Sequence, residues 1–264
     1  MSFTNPVLIG EVGTSRESTQ SVYDVATTAA HARGTRGMLA GGRTFEYVRS
    51  DNSTAIGKGK LACYDPMPNT LDVLSIQAAV SAGATSIPVT VVVSIDANEL
   101  AGSFIGIESS NGLGESYRIL SHDSHTTGTL TLEVDRGVVV ALTTNSRAAI
   151  YFHANAVKIS TSVAALAEPA EVAAGVPLVE IPDGSSTAQF AWVQKTGFAI
   201  VLFGSAVGSV GDSAYQGEDA GSFQLSTIEI DGNDQDRHNR VSLGTIVSFL
   251  PVNAGYHGVM LSIA

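Results

Sequence analysis

Along most of the chain, bulky apolar residues recur at every second position or in short runs separated by turn-forming residues. Leu130, Leu132 and Val134 alternate with Thr129, Thr131 and Glu133, the pattern of a half-buried strand. The most apolar stretch is Gln189–Gly211, QFAWVQKTGFAIVLFGSAVGSVG, which holds the only tryptophan, Trp192. On an extended chain Phe190 and Trp192 share one face, while Ala191 and Val193 share the other. Lys195-Thr196-Gly197 interrupts the run before Phe198–Phe203 resumes it. Two apolar runs about a Gly-containing break predict a β-hairpin at the centre of a core, with Trp192 as its anchor.

The same pattern organises the rest of the chain. Residues 1–41 carry one short helical pattern, Ser21–Arg33, and the residues after it are interrupted by Gly34, Gly37 and Gly41. So few large apolar groups predict an extended N-terminal arm, ordered by contact with a neighbouring molecule. Phe45, Tyr47 and Ile56 flank the turn-forming Ser50-Asp51-Asn52-Ser53, and Pro66 and Pro68 then mark a boundary. Residues 71–159 read as a separate β module, with strands at Ile87–Val93, Ser103–Ile105, Glu115–Leu120, Gly128–Val134 and Ala148–Val157. Asn111-Gly112 is a strong hairpin dipeptide within it. Residues 160–264 add strands at Leu178–Ile181, Phe223–Ile230, Val241–Phe249 and Tyr256–Ile263, while Val163–Ala174 is a strand or a short helix. The expected fold is therefore all-β. A barrel or sandwich core made of 42–70 and 160–264 carries the module 71–159 as an insertion and 1–41 as an arm.

Composition sharpens this picture. Only 15% of the 264 residues are charged, against roughly 25% in an ordinary soluble chain, which fits a surface partly covered by neighbours. The net charge of −11 argues against nucleic acid as the main partner. It is uneven: the first 60 residues carry seven basic and five acidic side chains, and the remainder seven and twenty. Arg16, Arg33, Arg36 and Arg43 lie in the basic end and are the candidate contacts to a partner. Asp212, Glu218, Asp219, Glu229, Asp231, Asp234 and Asp236 form an acidic run without an interposed Lys or Arg, read as a solvated loop. A single cysteine, Cys63, excludes an internal disulfide and a cysteine-built zinc site. The first residues lack a basic and then a long apolar region, so no secretory signal is expected, and the apolar runs are too short for a membrane-spanning helix.

Candidate chemistry is sparse. Ser121-His122-Asp123-Ser124-His125 sets the residue types of a catalytic triad side by side. Triad members converge from separate elements, so this stretch reads as a solvated turn. His122, His125 and His153 could meet at a metal, and Asp231–Asp236 superficially resembles a calcium loop. The loop lacks Gly at its sixth position, where Asp236 stands, and Ser242 replaces the bidentate Glu, so no metal is expected. Gly57-Lys58-Gly59-Lys60 and Gly112-Leu113-Gly114 are fragments of phosphate loops, and no Gly-x-Ser-x-Gly elbow surrounds Ser205 or Ser209. Paired carboxylates of a glycosidase would be recognisable only in space, although 6% aromatic content is low for a carbohydrate cleft. The expectation is a protein without catalytic residues or cofactors.

In Ala97–Ile105, a small-residue apolar strand is followed by Gly112-Leu113-Gly114-Glu115-Ser116-Tyr117-Arg118-Ile119. Gly42-Arg43-Thr44-Phe45-Glu46-Tyr47, Ala174-Gly175-Val176-Pro177 and Phe190-Ala191-Trp192-Val193-Gln194 with Gly197 complete the series. In this order the segments resemble tailed-phage head decoration (capsid cement) proteins and related virion structural proteins. The likeness touches most of residues 42–205; the arm, the acidic run and Val241–Ala264 match nothing in it. The resemblance implies a non-enzymatic protein on the outer surface of an icosahedral head, made in the host cytoplasm. It implies a homotrimer that clamps neighbouring subunits of the major capsid protein, without membrane or nucleic-acid partners. The alternatives are a tail-tube, fibre or spike component, and a polysaccharide depolymerase, which would call for long parallel repeats that the sequence does not show. A bacterial adhesin fits poorly with the missing secretory signal.

Overall fold

The computed structural model describes residues 8–11, 14–17, 19–39, 41–50, 53–64, 71–151, 157–159, 172–204, 209–217, 219–225, 242–247 and 255–263. Across them the protein is all-β. The leading strands are β1 (Leu8–Glu11), β2 (Thr14–Glu17), β3 (Arg36–Met38), β4 (Thr44–Ser50) and β5 (Ala62–Tyr64). Next come β6 (Leu74–Ser75), β7 (Ser86–Val91), β8 (Phe104–Ser109), β9 (Ser116–Ser121), β10 (Gly128–Val134) and β11 (Arg147–Tyr151). The rest are β12 (Val157–Ile159), β13 (Ala173–Pro177), β14 (Gln189–Phe203), β15 (Ser213–Gln216), β16 (Phe223–Leu225), β17 (Gly244–Ile246) and β18 (Gly255–Ser262). Two compact units result: Met1–Asp65 with Asn155–Ala264, and Pro66–Ala154. The junctions lie a few residues earlier than positions 71 and 159.

In the second unit the strands follow the order β6-β11-β8-β9-β10-β7. A bridge from Ile76 to Val89 joins the two outer strands, so the sheet curls into a barrel. The alternation read from sequence fills it: Ile87, Val89 and Val91 from β7 meet Leu130 and Leu132 from β10 and Ile105 and Ile107 from β8. Each such side chain taken out of water stabilises the fold by about 1.5–3 kcal/mol. Asn111 and Gly112 lie in the turn between β8 and β9, which pair antiparallel from Phe104↔Arg118 to Gly106↔Ser116.

The first unit is built on β14. Where a hairpin was expected, Gln189–Phe203 is one continuous strand of 15 residues. Lys195-Thr196-Gly197 does not reverse the chain. It forms a bulge, seen as a register shift between Gln194 and Thr196 opposite β4. An extra residue in one strand bends it and raises its twist without ending it. Gly197 sits there at φ 88°, and a Cβ at this position would stand 2.8 Å from Arg43 Cγ. Before the bulge β14 pairs with β4, and Val193 and Gln194 also pair with β13. Beyond it, β14 pairs with β18 from Thr196↔Ser262 to Phe203↔Gly255.

Each half of β14 serves a different core. After the bulge, Ala199, Val201 and Phe203 point into a small closed barrel in which β18, β17, β15 and β16 follow in turn and β16 returns to β14 at Phe203↔Phe223. Before the bulge both faces of β14 are covered. Ala191 and Val193 pack with Val48, Ile56, Ala62, Ala174 and Ile181, and Trp192 packs with Phe45, Tyr47, Val22 and Leu39 on the other side.

Residues 19–39 supply that second cover, which corrects the reading of 1–41 as an arm held by a neighbour. Val22 and Leu39 are buried within the same chain, and β3 pairs with β4. Trp192 Nε1 donates to the Gln20 carbonyl at 3.1 Å, and the Tyr47 hydroxyl donates to Gln20 Oε1 at 2.7 Å. Nor does Ser21–Arg33 form a helix; it runs through turns and bends. Ala26 and Phe190 exchange backbone hydrogen bonds of 3.0 and 2.7 Å, a strand-like pairing that outweighs a weak helical propensity. Residues 160–171, including most of Val163–Ala174, lie outside the described residues, as do the distal parts of the strands expected at Phe223–Ile230 and Val241–Phe249.

Trp192→Ala is expected to cost about 3–5 kcal/mol in a denaturant titration, because the wholly buried indole leaves a cavity. A second expectation concerns acid. His257 is buried against Phe203, neither ring nitrogen has a hydrogen-bond partner among the described residues, and burial holds its pKa below the ordinary histidine value. Burial lowers the pKa of His31, packed on Tyr47 and Trp192, in the same sense. The unfolded chain then binds more protons than the folded one, so stability is lost as pH falls below about 6.5. Denaturation midpoints measured between about pH 7.5 and pH 5.5 should fall, and His257→Leu should flatten the decline.

Candidate functional site

Two features of β14 stand out, one on its surface and one beneath. On the outer side of the β14–β18 pair, the residues that alternate with the barrel core are large and apolar. Phe198, Ile200, Tyr256 and Met260 are 46%, 48%, 43% and 46% exposed. Register explains their grouping, since Phe198 lies opposite Met260 and Ile200 opposite Gly258, where no side chain intervenes. Scattered exposed apolar residues are ordinary, whereas a contiguous group on one sheet face is a candidate for an interaction surface.

This face opens into a cleft of about 380 Å³, walled by Tyr23, Pro177 and Leu178 beside Phe198, Ile200 and Tyr256. Among the described residues two cations, Arg43 and Lys58, and no carboxylate line it. The turn carrying Lys58 is fixed from several sides. Gly59 N–H donates to the Pro177 carbonyl at 2.9 Å, and Leu202 N–H donates to the Gly59 carbonyl at 2.9 Å. The Tyr256 hydroxyl donates to the Lys58 carbonyl at 3.2 Å. Gly59 makes this possible at φ 74°, since a Cβ there would lie 2.7 Å from the Tyr256 ring and 2.8 Å from the Ile200 carbonyl. Arg43 is placed at the start of β4 with its guanidinium over the Phe45 ring, 5.9 Å from the centroid.

Of the four arginines singled out from sequence, Arg43 lines this cleft among the described residues. Arg36 is on β3 with its side chain 70% exposed and its Nε 4.0 Å from Glu46 Oε2. Arg33 is half-buried in the segment before β3, and Arg16 lies on β2 opposite Ile9. Lys58 was missed as a partner for Arg43. Gly57-Lys58-Gly59 was legible as a bend, but nothing in the sequence announces that it folds against β14 and β18.

Beneath the surface, the bulge carries a polar network that sequence reasoning also missed. Glu46 and Lys195 are both buried, with Lys195 Nζ 3.9 Å from Glu46 Oε2. The Tyr64 hydroxyl donates to Glu46 Oε1 at 2.6 Å, and Lys195 Nζ reaches the same hydroxyl at 3.4 Å. Burial lowers the Lys195 pKa, and the Glu46 charge opposes that shift. Burial pushes the Tyr64 phenol far above its usual range, and Glu46 adds to the effect. The bulge carbonyl at Lys195 accepts from Ile263 N–H at 3.0 Å, and Gln194 Nε2 donates to the carbonyls of Thr196 and Phe198. These bonds satisfy backbone groups that the bulge removes from the ladder.

The Ser121–His125 stretch is not a solvated turn throughout. His122 is buried, its Nε2 accepting from Leu100 N–H at 2.8 Å and its Nδ1 bonded to the Asp123 carbonyl at 2.8 Å, so the ring fastens a loop. His125 exchanges backbone bonds with Ile95. His153, Asp231–Asp236 and most of the acidic run lie outside the described residues. Among the described residues no group of three His, Cys, Asp or Glu side chains is placed to hold a metal. Cys63 is buried in the barrel core. No protein-family model, curated protein or solved structure matches the chain.

Breaking the buried pair from one side should be costly. Lys195→Met leaves Glu46 in an apolar site with one cation fewer and is expected to lose about 3–5 kcal/mol. Adding Glu46→Leu should recover most of that loss in a double-mutant cycle, because the pair's desolvation offsets much of its attraction.

Proposed function

We propose that the chain is a virion structural protein of the head-decoration type, which binds the outer surface of an icosahedral shell through the exposed face of β14 and β18. The observation that carries this reading is the contiguous apolar face on the strand that also anchors both cores of its unit. A cement protein needs a stiff body, because a soft one would yield to the strain between subunits rather than resist it. It also needs many weak contacts repeated over the lattice. The β-rich body, the sparse charge and the ordered sequence segments support the same reading. On it the partner is the major capsid protein, the assembly is a homotrimer, and the task requires neither catalysis nor a cofactor. Arg16, Arg33 and Arg36 would serve as peripheral contacts, with Arg43 acting from the cleft.

The test is reconstitution on shells of the phage that encodes the chain, stripped of surface proteins. Saturable binding at many copies per shell, with raised resistance to heat or chelator, is expected. A few copies per particle, or recovery with tails, would contradict the cement role and favour a tail or fibre component. Release of sugar from a host polysaccharide would point instead to a depolymerase.

A further inference from the structure

The cleft differs in charge from the chain that forms it. The sequence holds 25 acidic side chains against 14 Lys and Arg, yet the described lining of this cleft contains two cations and no acid. Among the described residues neither cation is engaged in an ion pair; Arg43 rests on the Phe45 ring, and Lys58 is carried on a turn fixed by three backbone contacts. Arg43 is half-buried and Lys58 exposed, so the two give the cleft a positive character that an anionic partner would meet. The same lining holds Phe198, Ile200 and the Tyr256 ring, which suit aliphatic side chains rather than sugars or phosphates alone.

We infer that this cleft is the seat of an extended polypeptide segment from a partner protein, one that carries an aliphatic side chain and a carboxylate two residues apart and so on one face. An extended strand sends residues i and i+2 to the same face. Its aliphatic side chain would enter between Phe198, Ile200 and Leu178, and the carboxylate two residues along, on the same face, would meet Arg43 and Lys58. Nucleic acid is disfavoured by the aliphatic floor and by the charge of the chain. The inference rests on the proposed docking face only in naming the partner as a shell protein; the chemistry of the cleft stands without it.

The test uses the full chain and short blocked peptides in which isoleucine and glutamate, isoleucine and lysine, or serine and glutamate stand two residues apart. Binding is followed by NMR shifts of the Phe198, Ile200 and Tyr256 side chains at low and high salt. The isoleucine–glutamate peptide is expected to bind, to weaken with salt, and to lose about tenfold in affinity on Lys58→Glu with Arg43→Glu. The other two peptides should bind more weakly by at least a similar factor. Equal binding of the isoleucine–lysine peptide, no shifts at these side chains, or indifference to the double charge reversal would each overturn the inference. Lys58→Ala with Arg43→Ala, checked for an unchanged denaturation midpoint, guards against a folding defect in the reversal. If the chain binds shells but the charge variants bind them equally well, the cleft inference fails and the decoration reading stands. If the peptide binds the cleft while shells do not bind the chain, the decoration reading fails alone.

Discussion

A strand of 15 residues that must serve two cores cannot stay straight, and the bulge at Lys195 is how β14 meets that constraint. Sheets twist, so neighbouring strands diverge after a few residues unless one of them bends. The extra residue lets β14 leave β4 and take up β18 without interrupting its own chain. The bulge in turn sets Lys195 in the interior. An isolated ammonium there would be strongly unfavourable, and Glu46 with the Tyr64 hydroxyl offsets it. Glu46, Tyr64 and Lys195 come from three strands of the unit, so the charge pair ties the bulge to the register of β4 and the position of β5.

The exposed apolar face arises from the same bend. Once β14 has turned onto β18, its odd-numbered residues Ala199, Val201 and Phe203 are committed to the barrel. Phe198 and Ile200 are left outside, facing the turn that carries Lys58. Removing the bulge would shift the alternation by one residue and exchange the two sets, so the scaffold and the exposed apolar face cannot be chosen independently. The indole of Trp192, at the other end of the strand, belongs wholly to the scaffold: it is buried and its N–H is used by Gln20.

The sequence made the all-β class and the strands of the second unit readable, because Leu130, Leu132 and Val134 alternate without interruption. It misled at Lys195–Gly197 for a definable reason: a charged residue followed by Thr-Gly is what both a turn and a bulge require, and local composition does not separate them. The segment 19–39 was misjudged similarly. It has few large apolar residues, but Val22, Leu39 and the Gln20 amide are enough to cover one indole and one phenol that alternation had already placed on a common face. The cleft was unreadable in principle, since Tyr23, Lys58, Pro177, Phe198 and Tyr256 meet only through tertiary packing.

The claim that β14 is one mechanical element joining two cores is most directly tested by native-state hydrogen exchange resolved by residue. The account predicts that the amides of Ala191 and Val193, before the bulge, and of Ala199 and Val201, after it, exchange with the same opening free energy and respond alike to denaturant. If one half of the strand opened at far lower denaturant while the other stayed protected, β14 would be two strands that merely adjoin, and the coupling of scaffold to the exposed apolar face would be wrong.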